Sequence, residues 1–85
     1  MLVEVFRSAR KKGTYLYLPR GANFEELPEV LRQTFGTPEL ALSLNLTEGR
    51  KLARYEAEEV LTALDQHGFF LQLPPGAMSE VSDAY

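Results

Sequence analysis

The feature that most constrains this chain is the way its hydrophobic period changes along its length. Period-two runs occupy residues 2–6, 15–18, 40–46 and 69–73. Two stretches of helical period lie between them, one before and one after the third run. A strand turns successive side chains to opposite faces, whereas a helix returns to the same face every three or four residues. The predicted order is therefore ββαβαβ. Each helix lies between two strands, so crossover connections and a mixed sheet of about four strands are expected. The fold class is α+β.

The individual segments support this order. In "LVEVFRS", Val3 and Val5 share one face and Glu4 and Phe6 the other. In "TYLYL", Leu16 and Leu18 stand opposite Tyr15 and Tyr17. The polar turn "ARKKG" between them, with Gly13 free to take positive φ, makes the pair a hairpin. Pro19 ends the second strand because it cannot donate to a ladder. In "NFEELPEVLRQTFG", Leu27, Val30, Leu31 and Phe35 fall on one helical face. Pro28 suits a first turn, and Glu25, Glu26 and Glu29 favour the positive end of the dipole. Gly36 and Pro38 stop the helix. "ELALSLNL" alternates, with Leu40, Leu42, Leu44 and Leu46 on one face. After the turn "TEGR", a short extended piece around Leu52 precedes a second helix, from residue 55 or 56 to about residue 66. Its expected buried stripe is Ala57, Val60, Leu61 and Leu64, and Gly68 is its C-terminal stop. "FFLQLP" reads as a fourth strand, apolar enough to be buried on both faces, which Pro74 and Pro75 then stop. Residues 1–75 form a single domain, and residues 76–85 lack periodicity and are expected to be a flexible tail.

Several function classes find no support. The chain has no cysteine, so it has neither disulfide nor thiolate, in keeping with a reducing compartment. Glu4 and Arg7 interrupt the apolar start, so no secretory core is expected there. No apolar run approaches the ~20 residues of a membrane span. A cytoplasmic protein without a membrane partner is the expectation. The one histidine, His67, sits at a predicted helix end, where it serves free carbonyls rather than catalysis. One histidine and carboxylates on a wet helix face supply neither a metal set nor a catalytic constellation. Glu58 and Glu59 are adjacent, so they do not project together. No phosphate-loop motif is present, and neither a cofactor nor a small-molecule ligand is evident in the sequence. The protein is not expected to be an enzyme.

Taken in order, "TYLY", "F…LP..L…FG.P.LALSL", "GRKL" and "V..AL..HGFFLQLPP" resemble the YcgL-domain family, small cytoplasmic proteins of gamma-proteobacteria. The similarity spans nearly the whole chain up to Pro75. The resemblance implies an α/β/α sandwich, with helices on both faces of the sheet. It implies no established biochemical activity and transfers no catalytic or ligand residue.

Two interaction classes remain. The net charge is −3, which disfavours loose nucleic-acid binding, yet the basic residues are clustered. Arg10, Lys11 and Lys12 fill the hairpin turn, and Arg50, Lys51 and Arg54 form a second group, with Arg32 apart. With Tyr15 and Tyr17 nearby, these are the candidate residues for an RNA or partner contact. Strand order puts the first group at one end of the sheet and Arg20, Arg50 and Lys51 at the other. Each end then offers only a few charges. The leading expectation is a non-catalytic protein-interaction module, since a sheet of this kind has edges open to a partner strand. The alternative is a small RNA-binding or RNA-processing accessory that uses its basic turns.

Overall fold

The computed structural model describes residues 1–47, 49 and 55–74. Its centre is the expected hairpin of β1 (Leu2–Ser8) and β2 (Tyr15–Pro19), paired antiparallel from Val3 opposite Pro19 to Arg7 opposite Tyr15. A 3-10 turn (Phe24–Glu26) and the helix α1 (Glu29–Phe35) lead to β3 (Pro38–Asn45). The helix α2 (Ala57–His67) precedes the short β4 (Phe70–Gln72). The strand order is β3-β1-β2-β4.

Every pairing in this sheet is antiparallel, which corrects the expectation of a mixed sheet. The reason lies in the order. The strands β2 and β3, joined through α1, do run the same way, but β1 lies between them. A helical connection produces a parallel pair only when its two strands become neighbours, and here the hairpin strand occupies that place.

The two faces of the sheet carry separate apolar clusters. Val3, Val5 and Tyr17 pack with Leu46 and with Ala57, Val60 and Leu64 of α2. Leu16 and Leu18, on the opposite face, pack with Phe35 of α1, and half-buried Phe6, Phe24, Leu27 and Leu31 surround them. Helices therefore cover both faces, as the α/β/α expectation required. Leu16 and Phe35 are almost wholly enclosed, and burial of each contributes ~1.5–3 kcal/mol.

Three local features differ from the sequence reading. Val30 is 76% exposed. The helix α1 is only seven residues long and Pro28 is its N-cap, so Leu27 lies outside it and Leu31 and Phe35 alone make the stripe. Val30, one residue before Leu31, is turned away by about 100°. Along β3, Leu42 stands opposite Val5 but Leu40 stands opposite Phe6, leaving Ala41 as an extra residue in a bulge. The bulge divides the leucines: Leu42 and Leu44 share the α2 face and Leu40 takes the α1 face. Finally, β4 is a three-residue edge strand and only half-buried, rather than buried on both faces. Its alternation holds, with Phe69 and Leu71 toward α1 and Phe70 toward α2. The extended piece expected near Leu52 and the tail expected over residues 76–85 lie outside the described residues.

The hairpin turn is joined to α1 by one hydroxyl. Ser8 is buried at the end of β1. Its Oγ donates to the carbonyl of Phe35, and accepts from the backbone amides of Arg10 (3.2 Å) and Lys11 (2.9 Å). A serine hydroxyl has one proton and two lone pairs, so these contacts use its full capacity.

Three stability measurements follow from this packing. Ser8→Ala leaves those groups short of a partner and should cost about 2 kcal/mol in a urea titration; an unchanged midpoint would show that the turn is held without it. Phe70 sits edge-on to Tyr17 (ring centroids 5.7 Å apart) and to Tyr55 (5.0 Å), and Tyr17 Oη donates to Gln72 Oε1 at 2.9 Å. Phe70→Ala should therefore cost about 3 kcal/mol, the low end for a buried ring, because β4 is half-open. Thr14 is buried and its hydroxyl has no hydrogen-bond partner among the described residues. Thr14→Val should stabilise by about 1 kcal/mol, read as a higher melting temperature, and a fall would reveal a bond to that oxygen.

Candidate functional site

Two surfaces carry chemistry that the core does not absorb. The first is the outer edge of β3. This strand ends the sheet order, and among the described residues no strand pairs with its far side. Eight residues long, it reads PELALSLN. Leu40 is 56% exposed and Leu42 51%, with Ala41 between them and Ser43 beyond also exposed. The bulge puts the two leucines on opposite faces, so they flank the edge rather than stack on one side. Glu39 is the strand's charged residue, and its Oε1 accepts from Arg7 Nε at 3.0 Å. Both groups are well exposed, so the pair adds little stability. Strand edges are usually protected by lysine, proline or a bulge. Here Pro38 and the bulge at Ala41 are present, and the centre of the strand is uncharged.

The second surface is an open groove of about 500 Å³ between the hairpin turn and the end of α1. Arg10, Arg32 and Glu25 line it, with Phe24 and Pro38 as apolar wall and Gly36 as floor. Gly36 caps α1 with a φ of 78°, a conformation that favours glycine. It also lies under the Arg10 side chain: a Cβ built there would stand 2.7 Å from Arg10 Cγ and 2.9 Å from Cδ. Arg10 is held again at its tip, where Nη1 donates to the carbonyl of Gln33 at 3.2 Å. Arg32 Nε donates to the carbonyl of Leu27 at 3.0 Å. Among the described residues neither arginine forms an ion pair.

The residues singled out from the sequence are distributed as follows. Arg10, Lys11 and Lys12 are exposed together at the hairpin turn. Arg20 is at the far end, its amide bonded to the carbonyl of Leu2 at 2.9 Å, so it does not extend that cluster. Tyr17 is only 8% exposed and Tyr15 is half-buried, both packed on the α2 side. Tyr17 therefore offers no open ring to a base, which corrects its place beside the basic residues. Arg50, Lys51 and Arg54 lie outside the described residues. His67 is exposed in the last turn of α2. Among the described residues no group of three or more His, Cys, Asp or Glu is placed to hold a metal, and no helix is long and apolar enough to cross a membrane.

Sequence reasoning missed Arg32, Ser8 and the second role of Gly36. Arg32 stood apart from the basic clusters in the chain, and only the fold brings it to the groove that Arg10 lines. A serine just before a basic turn was the available signal for Ser8, because short hydroxyl side chains commonly bond to amides two or three residues on.

A family model of the YcgL domain matches residues 3–75. Relatives match most of the chain. A YcgL domain-containing protein of Saccharophagus degradans is 42% identical over 83 residues, covering 98% of this chain and 91% of the relative. One from Thioalkalivibrio sulfidiphilus is 49% identical over 75 residues, covering 88% of this chain and 93% of its own. One from Vibrio vulnificus is 47% identical over 75 residues, covering 88% and 80%. With the family's domain spanning both helices and all four strands described above, this chain belongs to the YcgL-domain family.

Proposed function

We propose that this protein is a non-catalytic cytoplasmic interaction module whose β3 edge receives an extended segment of another protein. The observation that supports the reading is the outer edge of β3, uncharged at its centre and paired with no strand among the described residues, with Leu40 and Leu42 exposed on either side of it. In strand addition, main-chain hydrogen bonds supply affinity and alternating side-chain contacts supply specificity. A segment with apolar residues in alternation would place one beside Leu42 and Leu44 and the next beside Leu40. The bulge at Ala41 favours a short foreign segment over a second copy of β3. Two copies paired about a two-fold axis near the strand centre would bring two bulges together, and a bulge turns an edge away from continuous pairing.

An RNA contact through Arg10, Lys11 and Lys12 is the competing reading. It draws on their shared exposure at the turn, but it has lost Tyr17 as a stacking surface.

The test uses the variant Leu40→Lys/Leu42→Lys. Both side chains are more than half exposed, so its melting should stay close to wild type, within about 1 kcal/mol. Wild type recovered from nuclease-treated lysate should retain one stoichiometric protein, and amide exchange at residues 41–43 should slow in that complex. The variant should lose both. Retention of the protein by the variant, or unchanged exchange along β3, would overturn the reading. Recovery of RNA that Lys11→Glu abolishes would favour the basic turn instead. A concentration-dependent dimer broken by the variant would assign the edge to a second copy.

A further inference from the structure

We infer that the groove between the hairpin turn and α1 is a binding site for a terminal phosphate group, the phosphate monoester of a small molecule or of a nucleic-acid end. Four observations carry this, and only the fourth touches β3, through Pro38 at its start.

First, both guanidinium groups are positioned before any ligand arrives. Arg10 is fixed at its backbone by Ser8 Oγ, along its stem by contact with Gly36, and at its tip by the Gln33 carbonyl. Arg32 is fixed through Nε by the Leu27 carbonyl. An arginine held in this way loses little further rotamer freedom when it binds, so less of its interaction is lost to ordering.

Second, each arginine is held by backbone carbonyls rather than by carboxylates. A guanidinium carries five N–H donors, and a carbonyl partner occupies one without neutralising the charge. Among the described residues neither arginine has an acidic partner within ion-pair distance. The groove's formal charge is +1, from Arg10 and Arg32 against Glu25.

Third, the number of forks selects the anion. One guanidinium fork engages both oxygens of a carboxylate, which carries a single charge. A phosphodiester likewise has only two free oxygens and a single charge. A terminal phosphate has three free oxygens and close to two charges near neutral pH, so it can accept from two forks at once. A pair of fixed arginines suits that group better than either of the others.

Fourth, the groove has an apolar side. Phe24 and Pro38 line it, and its volume of about 500 Å³ exceeds what a bare phosphate fills. An organic body attached to the phosphate would cover that side. Glu25, also on the lining, is placed to accept from a hydroxyl of that body and to disfavour ligands with a second acidic group.

The test is a titration of the isotope-labelled full chain at constant ionic strength with phenyl phosphate, inorganic phosphate and dimethyl phosphate. Phenyl phosphate should give saturable shifts confined to the amides of Arg10, Gln33, Gly36 and Thr37. Inorganic phosphate should bind the same place more weakly, and dimethyl phosphate more weakly still. Arg10→Gln and Arg32→Gln should each weaken phenyl phosphate by about tenfold or more, the loss of a charge-assisted contact. Arg10→Lys keeps the charge but not the fork and should recover only part of the affinity. Glu25→Gln should tighten binding of every anion. A 5′-phosphorylated dinucleotide set against its unphosphorylated form then separates the two sources. Preference for the dinucleotide over phenyl phosphate assigns a nucleic-acid end, and the reverse assigns a small molecule. Shifts that never saturate, or that spread equally to Lys12 and Arg20, would overturn the site, as would equal binding of the mono- and diester. Unchanged affinity in both Arg→Gln variants, with melting curves like wild type, would also overturn it.

Discussion

The hydroxyl of Ser8 is the contact on which the arginine-lined end of this molecule depends. It links the end of β1 and the basic turn that follows to the last carbonyl of α1, which the chain leaves apart. Each of those groups is a strand-end or helix-end polar atom that regular secondary structure leaves unpaired. By serving all of them, one side chain sets how the turn sits against α1. The position of Arg10 follows, because its amide is one of the bonded groups and its stem must then run over Gly36. The groove is thus a consequence of helix capping as much as of arginine chemistry.

The sheet order has a comparable effect on the other surface. With β1 and β2 central, the two faces close well: valines and Tyr17 meet α2, and leucines meet Phe35 of α1. The cost falls on the edges. The strand β4 is short and half-covered, so it exposes little ladder. In contrast, β3 is the longest strand, and among the described residues no strand pairs with its outer side, so it forms the main polar edge of the described sheet. An edge of that kind is a liability for a small protein unless something uses it.

How far the sequence could be read depends on the range of the forces involved. Alternation placed Val3, Val5, Leu16 and Leu18 on their correct faces, because a strand's two sides follow from local geometry alone. The same holds for Ala57, Val60 and Leu64 on α2, and for the stops at Gly36 and Gly68. What failed needed long-range information. Leu40 changes face because a bulge against β1 interrupts the register, and nothing in "ELALSLNL" marks it. The sheet is antiparallel because β1 inserts between strands distant in the chain. Period two placed Tyr17 on a face but not under a helix, so its ring looked available for stacking when it was core.

The groove shows the same limit in one residue. Read locally, Gly36 is a helix stop, and its positive φ is sufficient reason for a glycine. In the fold it has a second reason, since any Cβ there would displace the Arg10 side chain. The backbone at Gly36, with φ 78° and ψ −159°, lies outside the left-handed helical well that asparagine tolerates and in a region open essentially to glycine alone. The contact adds to that demand, because the Arg10 stem would have to move aside for any Cβ. Position 36 is therefore constrained twice, by the backbone that ends α1 and by the arginine lying on it. That is what a site built into the capping geometry of α1 requires, and it could not be seen before Arg10 and Gly36, 26 residues apart in the chain, were placed together.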